Sequence, residues 1–411
     1  VQRWLKFAKH LPALGWQPVI FTPQNPAFDV CDESLLTDIP PEAEVIKIPI
    51  FEPYRLLRSK KNLKQTNFGV LTNSGRPGMK DTLLRWIRGN IMVPDPRVFW
   101  VQPSLRYLLR YLKTHPVDAV VSTGPPHSMH LIGLGLKKTL HLGWIADFRD
   151  PWSKLDLLDD YKIMPPVRRR YERMEQEVLL HADVCLTVSK CWGDMFAGLG
   201  AKKVEVITNG YAPEDIISAE NNTPAGFVIS HFGLMNHLRN PLVLWKVIEE
   251  KLTEDADFRN DFKCILGGHI DPEVLTDMRH FELLFARTKV EGYLSHSDLQ
   301  KVSTNSAVLL LLCFKSEIGK GNIPGKLFEY LAIGRPILAF GGKGGDVDRI
   351  LRETGGGTFL GYAASKLDVS AALDALYSHY KHGKFTSKPE GIDAYERAAL
   401  TGNLVKVLDR L

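Results

Sequence analysis

Cysteine is scarce in this chain, five residues in 411, and none of Cys31, Cys185, Cys191, Cys264 and Cys313 forms a C-x-x-C pair. That argues against zinc-ribbon and dithiol redox chemistry. Cys185, Cys264 and Cys313 lie inside apolar, strand-like runs and read as reduced, packed thiols of a cytoplasmic protein, so no metal and no disulfide framework is expected. Long apolar runs are lacking too. The longest, 307–314, is far short of the roughly 20 residues that a membrane-spanning helix needs, and no signal-like apolar stretch follows Val1, so neither a span nor secretion is expected. None of the named DNA- or RNA-binding modules is present, which leaves nucleic acid an unexpected partner. No carboxylate pair with glycosidase spacing is recognisable, so no covalent nucleophile is assigned.

What is present is ordinary globular material, 44% hydrophobic and 24% charged, at a length that suits about two domains. The net charge of +5 hides an asymmetry: residues 55–110 carry twelve Lys and Arg against Asp81 and Asp95, leaving the remainder net acidic. Within that region Leu83–Val93 interleaves basic and bulky apolar residues. The pattern suits peripheral contact with an anionic membrane, or a solvated basic face with Trp86 in the core. Arg168, Arg169 and Arg170, at the start of a helix expected over 166–181, meet phosphate or acidic groups or lie on a solvated face.

Short apolar runs alternate with helical periodicity along the whole chain, the signature of parallel α/β domains. Helices are expected over 2–14, 101–113, 130–140, 166–181 and 192–199, and strands over 18–22, 45–51, 119–123, 143–147, 184–189 and 204–207. A poorly periodic, basic insertion occupies 52–99. A second series begins at Phe227 and continues through strands 262–268, 288–293, 307–314 and 337–340. Domains are expected at 1–215 and 225–390, joined by a polar linker at 216–224, with a terminal helical segment at 391–411.

The densest stretch is 306–349. A buried strand runs into Lys315–Gly325, a helix opens at Pro324, Leu327, Phe328, Leu331 and Ala332 share one face, and Gly334 with Pro336 ends it. In such sheets ligands bind beyond the carboxyl ends of the strands. Gly319, Gly321 and Gly325 let the backbone approach a ligand, and the free N–H groups of the first helical turn favour an anion such as phosphate. Glu329 either accepts hydrogen bonds from ligand hydroxyls or complements the helix dipole. A second glycine turn, Gly341–Gly345, lines a cleft or serves packing. In the first half, Gly143–Trp152 ends a buried strand in Asp147, Arg149 and Asp150, charges that must be paired or functional; Arg149 locked to an aspartate is the structural option. His127 stands where a strand meets a helix, a place where cleft residues gather.

The run Gly321–Ala339 resembles the donor-binding segment of GT-B glycosyltransferases of the family 4 type, and the likeness extends over most of the chain, most clearly at 322–339, 143–152 and 1–9. It implies two doubly wound, Rossmann-like α/β domains facing across a cleft, and a terminal helix that returns to the first. It implies a hexosyltransferase-type, retaining enzyme with no obligatory metal, moving sugar from a nucleoside diphosphate sugar, its co-substrate, to a glycan or lipid-linked acceptor. Cell-surface polysaccharide synthesis in the cytoplasm, at the inner face of the membrane, is the implied setting.

By the same resemblance Glu329 binds the ribose, and Gly321, Asn322, Ile323, Pro324, Gly325 and Lys326 hold the diphosphate. Gly321 stands where many members carry a second glutamate, and Glu317 lies nearby. The loop after Gly233 matches the diphosphate grip, with Leu234 in place of one customary Arg and Arg239 as the basic residue. Tyr293 is a base-contacting or a core-filling residue. Asp147 or Asp150 contacts or orients the acceptor, with His127 a cleft residue. Residues 1–6 resemble a helix that follows a Gly-Gly turn in the family, so a preceding central strand and an acceptor-side loop are expected beyond Val1. A GT-B epimerase and a non-catalytic nucleotide-sugar-binding protein share the phosphate site; the epimerase requires paired acid/base residues on the first domain.

Overall fold

The computed structural model describes residues 2–26, 33–52, 79–220 and 222–411. These form two compact units, residues 1–208 with 397–411 and residues 209–396. Cys31, the loop-like stretch 67–78 and all six Lys and Arg between 55 and 78 fall outside the described residues.

Among the described residues the first unit holds a parallel pair, β1 (Val19–Pro23) with β2 (Glu44–Ile48), and a parallel sheet ordered β3 (Ala119–Gly124), β4 (Gly143–Phe148), β5 (Val184–Thr187), β6 (Val204–Val206). β4 is buried along almost its whole length, as expected of a strand covered on both faces. On one side Ile145, Val184 and Leu186 pack against Phe7 and Leu11 of the helix Gln2–His10 and its extension, and against Leu400, Leu404 and Val407 of the helix Arg397–Leu408. On the other lie the helices Val98–Tyr111 and Ser128–Leu140, with Trp100, Val101, Ile132 and Leu136 in the core.

The second unit is organised around a parallel sheet whose spatial order is β12 (Gly357–Gly361), β11 (Ile337–Gly341), β10 (Val308–Leu312), β7 (Phe227–Phe232), β8 (Phe262–Gly267), β9 (Thr288–Glu291). Strand alternation sorts the β10 leucines between two cores: Leu310 and Leu312 join Leu244 and Trp245, whereas Leu309 and Leu311 join Leu327, Phe328 and Leu331. The chain proceeds from β7 outward through β8 and β9, then restarts at β10 and proceeds the other way through β11 and β12. The reversal lies between β7 and β10, where open α/β sheets leave a crevice beyond the strand ends.

Three elements differ from the sequence expectation. The expected insertion contains a regular helix, Met79–Asn90, docked by the Tyr171 hydroxyl on the Gly89 carbonyl at 3.2 Å and by Arg88 over the Tyr161 ring at 5.0 Å. β12 was not anticipated, because Gly355–Gly357 leaves little apolar pattern ahead of it. The helix expected over 101–113 starts earlier, at Val98, and carries Pro103 in its interior, where the missing N–H leaves the Phe99 carbonyl without its intrahelical bond.

Candidate functional site: two clusters at strand ends

In the second unit the cluster lies at the β7/β10 reversal. Beyond β7, Gly233 takes φ +130°, a conformation that side chains rarely adopt, and donates its N–H to the Gly267 carbonyl at 2.8 Å. A Cβ there would run into Lys326 Nζ, because the Lys326 ammonium reaches back across the sheet end and donates to the Phe232 carbonyl. Arg239 ends a short 3-10 turn and lays its guanidinium 3.7 Å from the centre of the Phe314 ring. Its Nε is buried without a hydrogen-bond partner.

Neither cation is in an ion pair among the described residues. Burial and then the Arg239 charge push the Lys326 ammonium down to about 8, and burial lowers Arg239 from its usual value. Two half-buried cations in mutual repulsion, with carbonyls and an aromatic face as company, favour an anion as third partner. Beneath them His231 is buried, its Nδ1 3.0 Å from the Leu310 carbonyl, and burial followed by the Lys326 charge pushes it down to about 3.

The glycine loop follows β10. Gly319 and Gly321 are buried in a 3-10 turn spanning Ile318–Gly321, and Asn322 donates to the Gly319 carbonyl at 3.0 Å. Ile323 is buried at 4% exposure. Pro324 starts the helical turn, since the Leu327 N–H donates to its carbonyl at 2.9 Å. Gly325 caps the helix Lys326–Ile333, and a side chain added there would meet open space. Glu329 is half-buried in the first turn and makes no hydrogen bond or ion pair among the described residues. Glu317 is exposed and pairs with Lys320 at 2.7 Å. Tyr293 is 89% exposed, which removes the core-filling alternative. In the second glycine turn, a Cβ at Gly345 would lie 2.7 Å from the Lys320 carbonyl, so glycine there permits backbone-to-backbone packing against the loop.

In the first unit the cluster lies beyond β3 and β4. Asp147 is fully buried, and its carboxylate accepts from Trp4 Nε1 at 2.6 Å and Thr123 Oγ1 at 2.7 Å and pairs with Arg3 at 3.4 Å. Arg3 is itself buried and also donates to the carbonyls of Ile207 and Thr208. The aspartate lock therefore exists, but through Arg3. Arg149 turns instead to the Pro125 carbonyl.

Asp150 makes no hydrogen bond or ion pair among the described residues, and burial raises its carboxyl to about 6 against the partial opposition of Arg149. His127 is 7% exposed, stacks on Trp152 with centroids 5.1 Å apart, and has no hydrogen-bond partner on either ring nitrogen. Burial and then Arg149 push it down to about 3, so its imidazole is neutral at working pH.

Two carboxylates missed by sequence reading hold this cluster in place. Asp95 accepts from the Ser128 N–H at 2.8 Å and its hydroxyl at 2.7 Å, capping the helix that begins beside His127. Glu175, 2% exposed, accepts from the N–H groups of Trp152 at 3.0 Å and Ser153 at 3.2 Å. Asp95 had a visible signal, a rare acid in a basic region; Glu175 had none.

Two units, each built on a parallel sheet with helices on its faces, and an unneutralised cation pair at a switch point define an α/β protein like the GT-B glycosyltransferases. The profile of the family described as Glycosyl transferase 4-like domain matches residues 1–210, and the chain belongs to that family, a retaining family of glycosyltransferases whose typical donors are nucleotide sugars. Among solved structures the chain is similar to a sucrose-phosphate synthase from Thermosynechococcus elongatus (13% identity, 98% of this chain and 91% of that one covered, TM-score 0.61). It is also similar to HepE of Anabaena, solved with UDP-glucose (12%, 100% and 95%, 0.60), and to the lipopolysaccharide outer core galactosyltransferase WaaB in its apo form (15%, 92% and 87%, 0.54). At these identities the likeness concerns the fold. A search of curated proteins by sequence found no match.

Proposed function

We propose that this glycosyltransferase moves a hexose from a nucleoside diphosphate sugar to a glycan or lipid-linked acceptor in cell-surface polysaccharide synthesis. The carrying observation is the Arg239 and Lys326 pair, two cations without a carboxylate partner beside the open N-terminus of the helix Lys326–Ile333. As the bond to the sugar breaks, charge accumulates on the diphosphate, and these cations with the first-turn amides stabilise it more than they stabilise the intact donor. Gly233, Gly321, Asn322, Ile323, Pro324 and Gly325 shape the backbone around that diphosphate. Glu329 accepts from the ribose hydroxyls, exposed Tyr293 meets the base, and Glu317 reaches the sugar after releasing Lys320.

The first unit supplies the acceptor side. Neutral His127 forms a hydrogen bond to a sugar oxygen, Asp150 receives or orients the acceptor hydroxyl, and Asp147 holds the turn that presents them. Among the described residues no helix is long and apolar enough to cross a membrane. Contact with an anionic membrane surface, at the cytoplasmic face, is assigned to the helix Met79–Asn90. Its Met79 and Leu83 are 90% and 58% exposed, and it packs beside the helix Pro165–His181, whose Arg169, Arg170 and Arg173 are exposed.

Calorimetric titration with a panel of nucleoside diphosphate sugars, using the wild type and Glu329→Ala, tests the donor assignment. One donor should bind tightly, lose affinity in the variant and be slowly hydrolysed. Binding to none of the panel would overturn it.

A further inference from the structure

Lys326 combines features that sugar transfer does not itself require. Its Nζ donates to the Phe232 carbonyl and meets no carboxylate among the described residues, whereas Lys320, in the neighbouring glycine loop, is neutralised by Glu317 at 2.7 Å. The groups that act on it are the Arg239 guanidinium from the loop after β7, the neutral His231 of β7, the buried Cys313 thiol beyond β10 and Glu329 of its own helix. Burial and then Arg239 loosen the proton, and Glu329 opposes them without prevailing. Desolvation and a neighbouring cation are the two ways in which a protein turns a lysine into a nucleophile. At about 8, roughly a tenth of the side chain is free amine at pH 7, against well under a thousandth of an ordinary lysine.

The geometry leaves that amine usable. A neutral amine that gives one N–H to the Phe232 carbonyl keeps its lone pair turned away from that carbonyl. With glycine at 233, no side chain stands against the nitrogen from that position. Lys326 is half-buried, so it is desolvated yet within reach of a small reagent.

Arg239 selects the reagent. Its Nε is buried without a hydrogen-bond partner, and such a guanidinium takes a phosphate. A molecule that carries its phosphate directly on an electrophilic carbon brings that carbon to the amine, and an acyl phosphate is of this kind.

We propose that Lys326 is a modification site, acylated by small acyl phosphates whose phosphate docks on Arg239. The amine lone pair attacks the acyl carbon and the bond from that carbon to the phosphate oxygen breaks. Phosphate leaves with the bonding pair and one amine proton, and an amide remains. Arg239 stabilises the charge that develops on the departing phosphate. The amide is uncharged, so acylation removes one of the two cations that face the donor diphosphate. The acylation rests on the anion site alone; its effect on donor binding rests on the glycosyltransferase reading above.

The test incubates the full chain with acetyl phosphate at neutral pH and follows each lysine by peptide mass mapping. Lys326 should be acetylated about tenfold or more faster than the exposed Lys113 and Lys246, at a rate that saturates with acetyl phosphate, and inorganic pyrophosphate should protect it. Arg239→Ala, shown to be folded by circular dichroism, should bring Lys326 down to the rate of the exposed lysines. The acetylated wild type should bind its nucleotide sugar about tenfold or more weakly in titration calorimetry. Lys326 reacting no faster than Lys113 and Lys246, or undiminished in Arg239→Ala, would overturn the proposal. Donor binding by a chain whose Lys326 stays unreactive would sink the proposal alone. Preferential, pyrophosphate-blocked acetylation in a chain that binds no nucleotide sugar would uphold the site and sink the donor assignment instead.

Discussion

Asp147 and Asp150 share one turn of chain and meet opposite surroundings. Asp147 is fully buried among three donors, one of them the buried Arg3 guanidinium. Removing it in Asp147→Ala strands that cation, and a loss of about 3–5 kcal/mol is expected in denaturant unfolding. Asp150 is half-buried without a donor, and partial burial raises its carboxyl to about 6 from the ordinary 3.8. A carboxyl raised in the native state binds its proton more tightly folded than unfolded, so it makes stability fall as pH rises from about 4 to about 6. Asp150→Asn should flatten that slope without loss of stability at neutral pH, and should abolish the acid limb of turnover near pH 6. His127, already neutral there, should contribute no inflection between pH 5 and 8. On the donor side Lys326 sits at about 8, so nucleotide-sugar affinity should weaken above that pH in titration calorimetry as the ammonium loses its proton. Arg239→Ala should weaken it at every pH by roughly 10- to 100-fold, the scale of a charge-assisted hydrogen bond.

At the scale of elements, what was legible followed from local chemistry. The apolar runs of β7, β10 and β11 are continuous because both faces are covered, and the turn residues after them stand out from such runs. Pro324, Gly325 and Gly334 mark the ends of the helix Lys326–Ile333 in the sequence and in the structure alike. Partners remote in sequence were not legible. Nothing near Asp147 points to Arg3 or Trp4, and the nearer Arg149 looked the natural mate. The helix Met79–Asn90 was hidden because much of its apolar face remains outward. That same face carries an expectation: Met79→Glu with Leu83→Glu should abolish co-sedimentation with vesicles containing anionic lipid and leave binding of the soluble donor intact. Gly233→Ala, forced toward φ +130° and against the Lys326 ammonium, should raise the donor Kd while the second unit stays folded by circular dichroism.

Across the whole molecule the two units are unequal in how the chain builds them. The second is one continuous stretch, residues 209–396, whereas the first is completed only by residues 397–411. Leu404 is fully buried against Phe7, Ile145 and Leu186, and Leu404→Ala should cost about 2–5 kcal/mol in the unfolding of the first unit. That helix also bears on synthesis. A ribosome delivers the whole of the second unit before Leu400, Leu404 and Val407 emerge, so until then the nascent first unit keeps the side of its sheet near Phe7 uncovered. The later-encoded unit is thus able to finish folding ahead of the earlier one, and a chaperone waiting on the nascent chain would find its apolar target in residues made first.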